Sequence, residues 1–234
     1  MWYVMAVEIL QTTVVAIVLG FLAVVLLRFI IPGLYQQDRR IAQFFYLDMF
    51  WVAPFFAVYL YEQRTVSSLG LVLGESVVKT AQYAVICLLV ALFLFILSAQ
   101  REKKKGNLRI SKGMLVIGNE GVDLRMVSLP GFVQVFLMQV MWVALPLEIF
   151  FRGYLVSRIA ETFDDAAGVL IASLLYFVAY MDRPIFGNIN LVLAGLYSYA
   201  FVVTGSILPG LVAHMFINTF SFYFARNIAA SQRV

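Results

Sequence analysis

An all-α bundle of about seven membrane-spanning helices is the fold this sequence predicts, on three observations. The 234 residues are 63% hydrophobic and 13% charged, with mean hydropathy +0.92; a soluble domain is nearer half apolar and a quarter charged. The apolar residues gather into runs at about 7–31, 41–61, 77–98, 132–151, 166–181, 189–203 and 207–224. Inside two of these runs polar side chains stand four apart, Glu148 with Arg152 and His214 with Asn218. Positions i and i+4 share a helix face, and polar groups at membrane depth turn to the bundle interior or to a wet cavity. At this length one membrane domain, 1–234, is the simplest organisation.

A crossing helix needs roughly 20 residues, and the first four runs supply them. The fifth and sixth are short, which calls for tilt, extension at the ends or a surround of protein. In the first run Glu8 and Arg28 lie near opposite ends, where each can reach an interface as an anchor. Glu8 precedes the long apolar run with no basic residues ahead of it, so no signal peptide is expected. Pro32 and Gly33 are expected to end this helix. The second run carries Asp48 and, beyond it, Pro54. Asp48 is too short to snorkel, so it lines a cavity or bonds a neighbouring helix. Residues 67–74 are polar and contain Gly, the composition of a loop. In the third run stands the single cysteine, Cys87. It allows no internal disulfide and no cysteine-based zinc site, and a small buried or lipid-facing apolar role suffices.

The one long connection, 99–131, opens on Arg101, Glu102, Lys103, Lys104 and Lys105. Two β-prone runs follow, 114–117 and 122–127, around Gly118, Asn119, Glu120 and Gly121, the pattern of a hairpin. The basic run is an anchor on the positive side of the membrane or a site for lipid or a partner. With the N-terminus outside, every Lys and Arg except Arg64, Lys79, Arg152 and Arg158 falls to the cytoplasmic side, so that orientation is expected. The net charge of +4 then serves membrane orientation and anionic lipid, and no nucleic-acid partner is expected.

The fourth run is the important one. Pro146 stands just before Glu148 and should kink the helix or free a carbonyl. The helical pattern continues past it to about Thr162, making 132–162 one long bent helix that Asp164 and Asp165 end.

The phrase Ala144, Leu145, Pro146, Leu147, Glu148, Ile149, Phe150, Phe151, Arg152, Gly153 resembles the Glu-Glu-x-x-x-Arg-Gly motif of the CPBP (Abi) family. That family comprises the type II CAAX prenyl endopeptidases and their bacteriocin-processing and immunity relatives. Phe177 to Met181 resembles its Phe-x-x-x-His motif. Gly195, then Thr204 to His214, ending at Asn218, resembles its later part with His-x-x-x-Asn. The resemblance covers about 132–224. It implies a membrane-embedded site in which the first Glu and the first His activate water while the last His and Asn hold the oxyanion. Here Leu147 replaces that Glu and Met181 replaces that His, whereas Glu148, Arg152, His214 and Asn218 match.

Leu and Met cannot accept a proton from water, and hydrolysis by activated water needs a base within reach. Asp182 and Tyr180 flank Met181 and could substitute, though nothing in the spacing favours either. With one His in the chain no metal site and no cofactor is expected. Two readings stay open. In the first the protein is a noncatalytic family member with a degraded protease site, binding membrane lipid and a membrane protein or a lipidated or transmembrane peptide. In the second it is an active intramembrane endopeptidase of CAAX or bacteriocin-processing type with a rearranged base. For the residues themselves, Glu148 with Arg152 is a buried structural ion pair or part of a retained polar pocket, and His214 with Asn218 an interhelical pair or part of the same pocket. The expected setting is the plasma membrane of a prokaryote, with the C-terminus cytoplasmic.

Overall fold

The computed structural model of the chain describes residues 2–37, 46, 48–111, 114–117, 120–123, 133, 136–181 and 189–230. Its helices are α1 (Trp2–Val25, continued through Leu26–Ile30 and Ile31–Gln37), α2 (Asp48–Tyr61), α3 (Val77–Lys104), α4 (Phe136–Thr162), α5 (Asp165–Tyr180), α6 (Asn190–Thr204) and α7 (Leu208–Ala230). Val7–Leu34, α3 and α4 are long and apolar enough to cross a membrane, and the protein is an integral membrane protein. The remaining apolar helices are shorter. The start of the expected second span, 41–45, lies outside the described residues.

The two outer spans have two unlike faces. On α1, Leu10, Val14, Val18, Phe21 and Phe29 are exposed, a lipid-facing stripe at helical spacing. Its opposite face carries Thr13, Ala16, Gly20 and Ala23, all buried. Such small side chains let helices approach closely in a membrane, where apolar burial alone does not drive association. The approach is tight enough that a Cβ on Gly20 would lie 2.8 Å from Leu175 Cδ1. α3 repeats the device: Cys87, Ala91, Phe95 and Ala99 are fully buried and pack with Ala213 and Ile217 of α7.

α4 is the hub. Its best apolar window is 67% buried, against 28% and 22% for the other two long spans. Phe150 and Phe151 meet Phe50 of α2 at 5.2 and 6.3 Å between ring centres, and Phe151 meets Tyr176 of α5 edge-on at 5.1 Å.

Three prolines share a local setting. Pro32, Pro54 and Pro146 are each the second residue of an α-helical stretch, and a wider π-helical stretch precedes each one, at Leu26–Ile30, Asp48–Val52 and Gln139–Ala144. A proline ring collides with the carbonyl four residues back. Those carbonyls belong to Arg28, Phe50 and Trp142, each inside its wide stretch. Widening there lets the helix pass the ring. This corrects the expected end of the first helix at Pro32 and Gly33: it runs on to Gln37. Arg28 is also more than an interfacial anchor, because its Nη1 donates to the Val178 carbonyl near the end of α5, at 2.9 Å.

After α3 the chain forms a three-stranded antiparallel sheet, β1 (Leu108–Ser111), β2 (Met114–Ile117) and β3 (Glu120–Asp123). β2 and β3 pair with Met114 opposite Asp123, while β1, which the sequence pattern did not single out, pairs with Leu108 opposite Ile117. Residues 124–127 of the expected second strand lie outside the described residues.

Candidate functional site

Four helices bring the site together. Glu148 and Arg152 come from α4, Tyr176 from α5, Tyr197 from α6, and Gly210 and His214 from α7. His214 Nδ1 lies 2.9 Å from Glu148 Oε1, a hydrogen bond joining α4 to α7. Arg152 Nη1 lies 3.4 Å from the same oxygen, an ion pair one helical turn along. All three are buried, with Glu148 at 0%, Arg152 at 1% and His214 at 6% exposure.

Aromatic rings hold the cation. The Arg152 guanidinium carbon stands 4.5 Å from the centre of the Tyr176 ring and 5.6 Å from that of Tyr197. Such contacts strengthen when desolvated. The His214 ring meets the same two tyrosines, edge-on to Tyr176 and stacked with Tyr197, at 6.4 Å each. Nε, Nη1 and Nη2 of Arg152, Oε2 of Glu148 and the Tyr197 hydroxyl have no hydrogen-bond partner among the described residues. Native interiors satisfy nearly all such groups, so a concentration of exceptions marks a place to look for function.

Two glycines set how closely the parts approach. A Cβ on Gly210 would lie 2.5 Å from Glu148 Oε2 and 3.1 Å from Tyr197 Cβ, so the bare α7 backbone is what admits the carboxylate. A Cβ on Gly153 would overlap the Leu69 carbonyl oxygen. The segment containing Leu69 is the expected loop, and it braces both halves of the site. Ile207 N donates to the Gly70 carbonyl at 3.1 Å, and the Ser206 hydroxyl donates to the Val72 carbonyl. Gly70 supplies the left-handed turn, φ 68°, that this path requires.

The remaining expected positions have other settings. Leu147 is 1% exposed and packs in the main apolar core. Met181, just past the end of α5, is 42% exposed. Asn218 is half-buried one turn beyond His214. Tyr180 lies tilted against Tyr176 at 4.9 Å between ring centres, and Asp182 lies outside the described residues. Among the described residues no three His, Cys, Asp or Glu side chains gather as metal ligands.

Sequence reasoning missed Tyr176, Tyr197 and Gly210. The signal for Gly210 was its place four residues before His214, on the same face of α7. It also missed a second polar cluster. Arg158, 1% exposed, donates through Nε to Glu62 at 2.7 Å, through Nη2 to Ser68 at 3.0 Å, and through Nη1 to Ser157 at 3.1 Å and Glu161 at 3.2 Å. Burial pushes the Glu62 carboxyl above its ordinary range, while Arg158 and Arg64 pull it back. Its hydrogen bond to Glu161 pushes the Arg64 guanidinium up.

No curated protein and no solved structure matches this chain. One family model does, over residues 129–220, and it is described as type II CAAX prenyl endopeptidase Rce1-like. That range holds α4 to α6 and most of α7, and with them Glu148, Arg152, Tyr176, Tyr197, Gly210, His214 and Asn218. At 129–220, then, the chain is similar to the Rce1-like model of the type II CAAX prenyl endopeptidases.

Proposed function

We propose that this protein binds a lipidated or transmembrane peptide in its Rce1-like cleft and does not hydrolyse it by the family's water-activating pair. The observation that carries the reading is the pair of side chains at the positions of that machinery. Leu147 is an apolar group buried in the core, and Met181 is an exposed thioether. Neither takes a proton from water. The retained polar groups, Glu148, Arg152, His214 and Asn218, then serve recognition. The bias of Lys and Arg supports an orientation with the N-terminus outside and the C-terminus in the cytoplasm.

A second reading, an endopeptidase with a rearranged base, is favoured by one contact. The Glu148 carboxylate engages His214 Nδ1, the arrangement in which an acid orients an imidazole. One experiment separates the two. Purified protein in detergent is offered a prenylated CAAX-type peptide, and binding and cleavage are both measured. The first reading expects binding without cleavage, and cleavage only by the Leu147→Glu, Met181→His double variant, abolished by a further His214→Ala. Neither substitution alone suffices, because groups acting as a unit are strongly non-additive. Cleavage by the unaltered chain that is lost in Glu148→Gln overturns the first reading in favour of the second.

A further inference from the structure

We propose that His214 is held as the neutral imidazole with its proton on Nδ1, so that the cleft meets its occupant with the Nε2 lone pair. The group it takes is then a hydrogen-bond donor, a water or a peptide N–H or O–H, and not a carbonyl oxygen. The inference rests on the reading that this cleft is the ligand site.

Charge and hydrogen-bond chemistry lead there together. A guanidinium is always charged, and among the described residues Arg152 is buried with a single carboxylate paired to it, Glu148 at 3.4 Å. A buried cation needs that counter-charge. An ionised carboxylate only accepts hydrogen bonds, so in the 2.9 Å contact with Glu148 Oε1 the proton belongs to His214 Nδ1. A second proton on the ring would leave two cations facing one carboxylate. Tyr176 and Tyr197 flank the ring, Tyr180 lies tilted against Tyr176, and Cys87 of α3 shares an apolar cluster with Tyr197. Among the described residues none of these is an anion that would balance it. Burial in low dielectric makes such an excess costly.

Geometry fixes the rest. With Nδ1 engaged, Nε2 is the nitrogen left for an occupant, and 8% of the side chain remains accessible. The two tyrosine rings hold the plane of the imidazole. Glu148 is thus a positioning residue: it selects the tautomer without touching the ligand. A donor-seeking Nε2 is the opposite of the oxyanion-holding role that the family resemblance implies for this histidine; with Leu147 in place of the first Glu, one carboxylate is shared between an arginine and the ring.

The chain has one histidine, which makes the test direct. The protein is labelled with ¹⁵N-histidine, purified without an oligohistidine tag, and its ring nitrogens are recorded in detergent near neutral pH. The expected spectrum is one protonated and one unprotonated nitrogen, with the proton on Nδ1 and the Nε2 signal far downfield. A proton on Nε2, alone or together with Nδ1, overturns the proposal. Arg152→Gln removes the competing cation and should bring a second proton onto the ring; a ring unchanged in the folded variant counts against the charge argument. Added prenylated CAAX-type peptide should move the Nε2 signal and leave Nδ1 in place, and movement of Nδ1 alone counts against the acceptor role. A peptide that does not bind sinks the reading of the cleft as a ligand site but not the tautomer, so the two failures are distinguishable.

Discussion

Arg152 and Arg158 stand six residues apart on one helix, and each is 1% exposed. Yet they are treated oppositely. Every nitrogen of Arg158 donates to an oxygen, on Glu62, Ser68, Ser157 or Glu161. No nitrogen of Arg152 finds a hydrogen bond among the described residues; it has an ion pair at 3.4 Å and two aromatic faces. A fully satisfied buried cation ties elements together and has nothing left to offer a ligand. An unsatisfied one keeps its donors and holds its neighbourhood in a particular charge state. The pair teaches that burial alone does not separate a structural arginine from one at a site. Satisfaction does.

The largest expected effect breaks the satisfied member. Arg158→Ala leaves the Glu62 side chain, itself 0% exposed, with only the more distant Arg64 at 3.9 Å, and cuts the link between α4 and the bracing loop at Ser68. Removing one partner of a buried pair costs about 3–5 kcal/mol, so the variant should show the greatest drop in melting temperature or fail to accumulate folded.

Arg152→Ala should come second, at about 1–3 kcal/mol, because it loses one ion pair at 3.4 Å and two aromatic faces, where Arg158 loses hydrogen bonds from every nitrogen. If Arg152→Ala melts lower than Arg158→Ala, the division between the two arginines is wrong. The smallest effect belongs to Lys104→Ala, on the exposed end of α3, within about 0.5 kcal/mol. All three are compared as apparent midpoints in one detergent and at one heating rate. Equal midpoints for Arg152→Ala and Lys104→Ala would sink the buried pair.

The sequence made the membrane and the helices legible because apolar composition and length are one-dimensional quantities. The Glu148–Arg152 relation was legible for the same reason, since four residues on a helix fix a shared face. The His214–Glu148 bond was not: it joins two helices 66 residues apart, and no local spacing encodes it. Tyr176 and Tyr197 were hidden by abundance, two among 12 tyrosines in a chain where aromatic residues are ordinary. Arg158 was hidden by its partners, because Glu62 and Ser68 lie in a segment whose polar composition signals only a loop.

The wide stretches before Pro32, Pro54 and Pro146 change what kinds of variation these helices can absorb. A π-helical stretch carries surplus chain relative to an α-helix of the same length. Deleting one residue from Gln139–Ala144 would let the helix tighten toward α geometry and absorb the loss, because a wide stretch turns less per residue than an α-helix. The same deletion in a regular α-helical stretch has no surplus to draw on and turns everything beyond it by about 100°. For this helix the wide stretch upstream of the proline is therefore the place where Glu148, Arg152 and Gly153 keep their facing through a one-residue deletion.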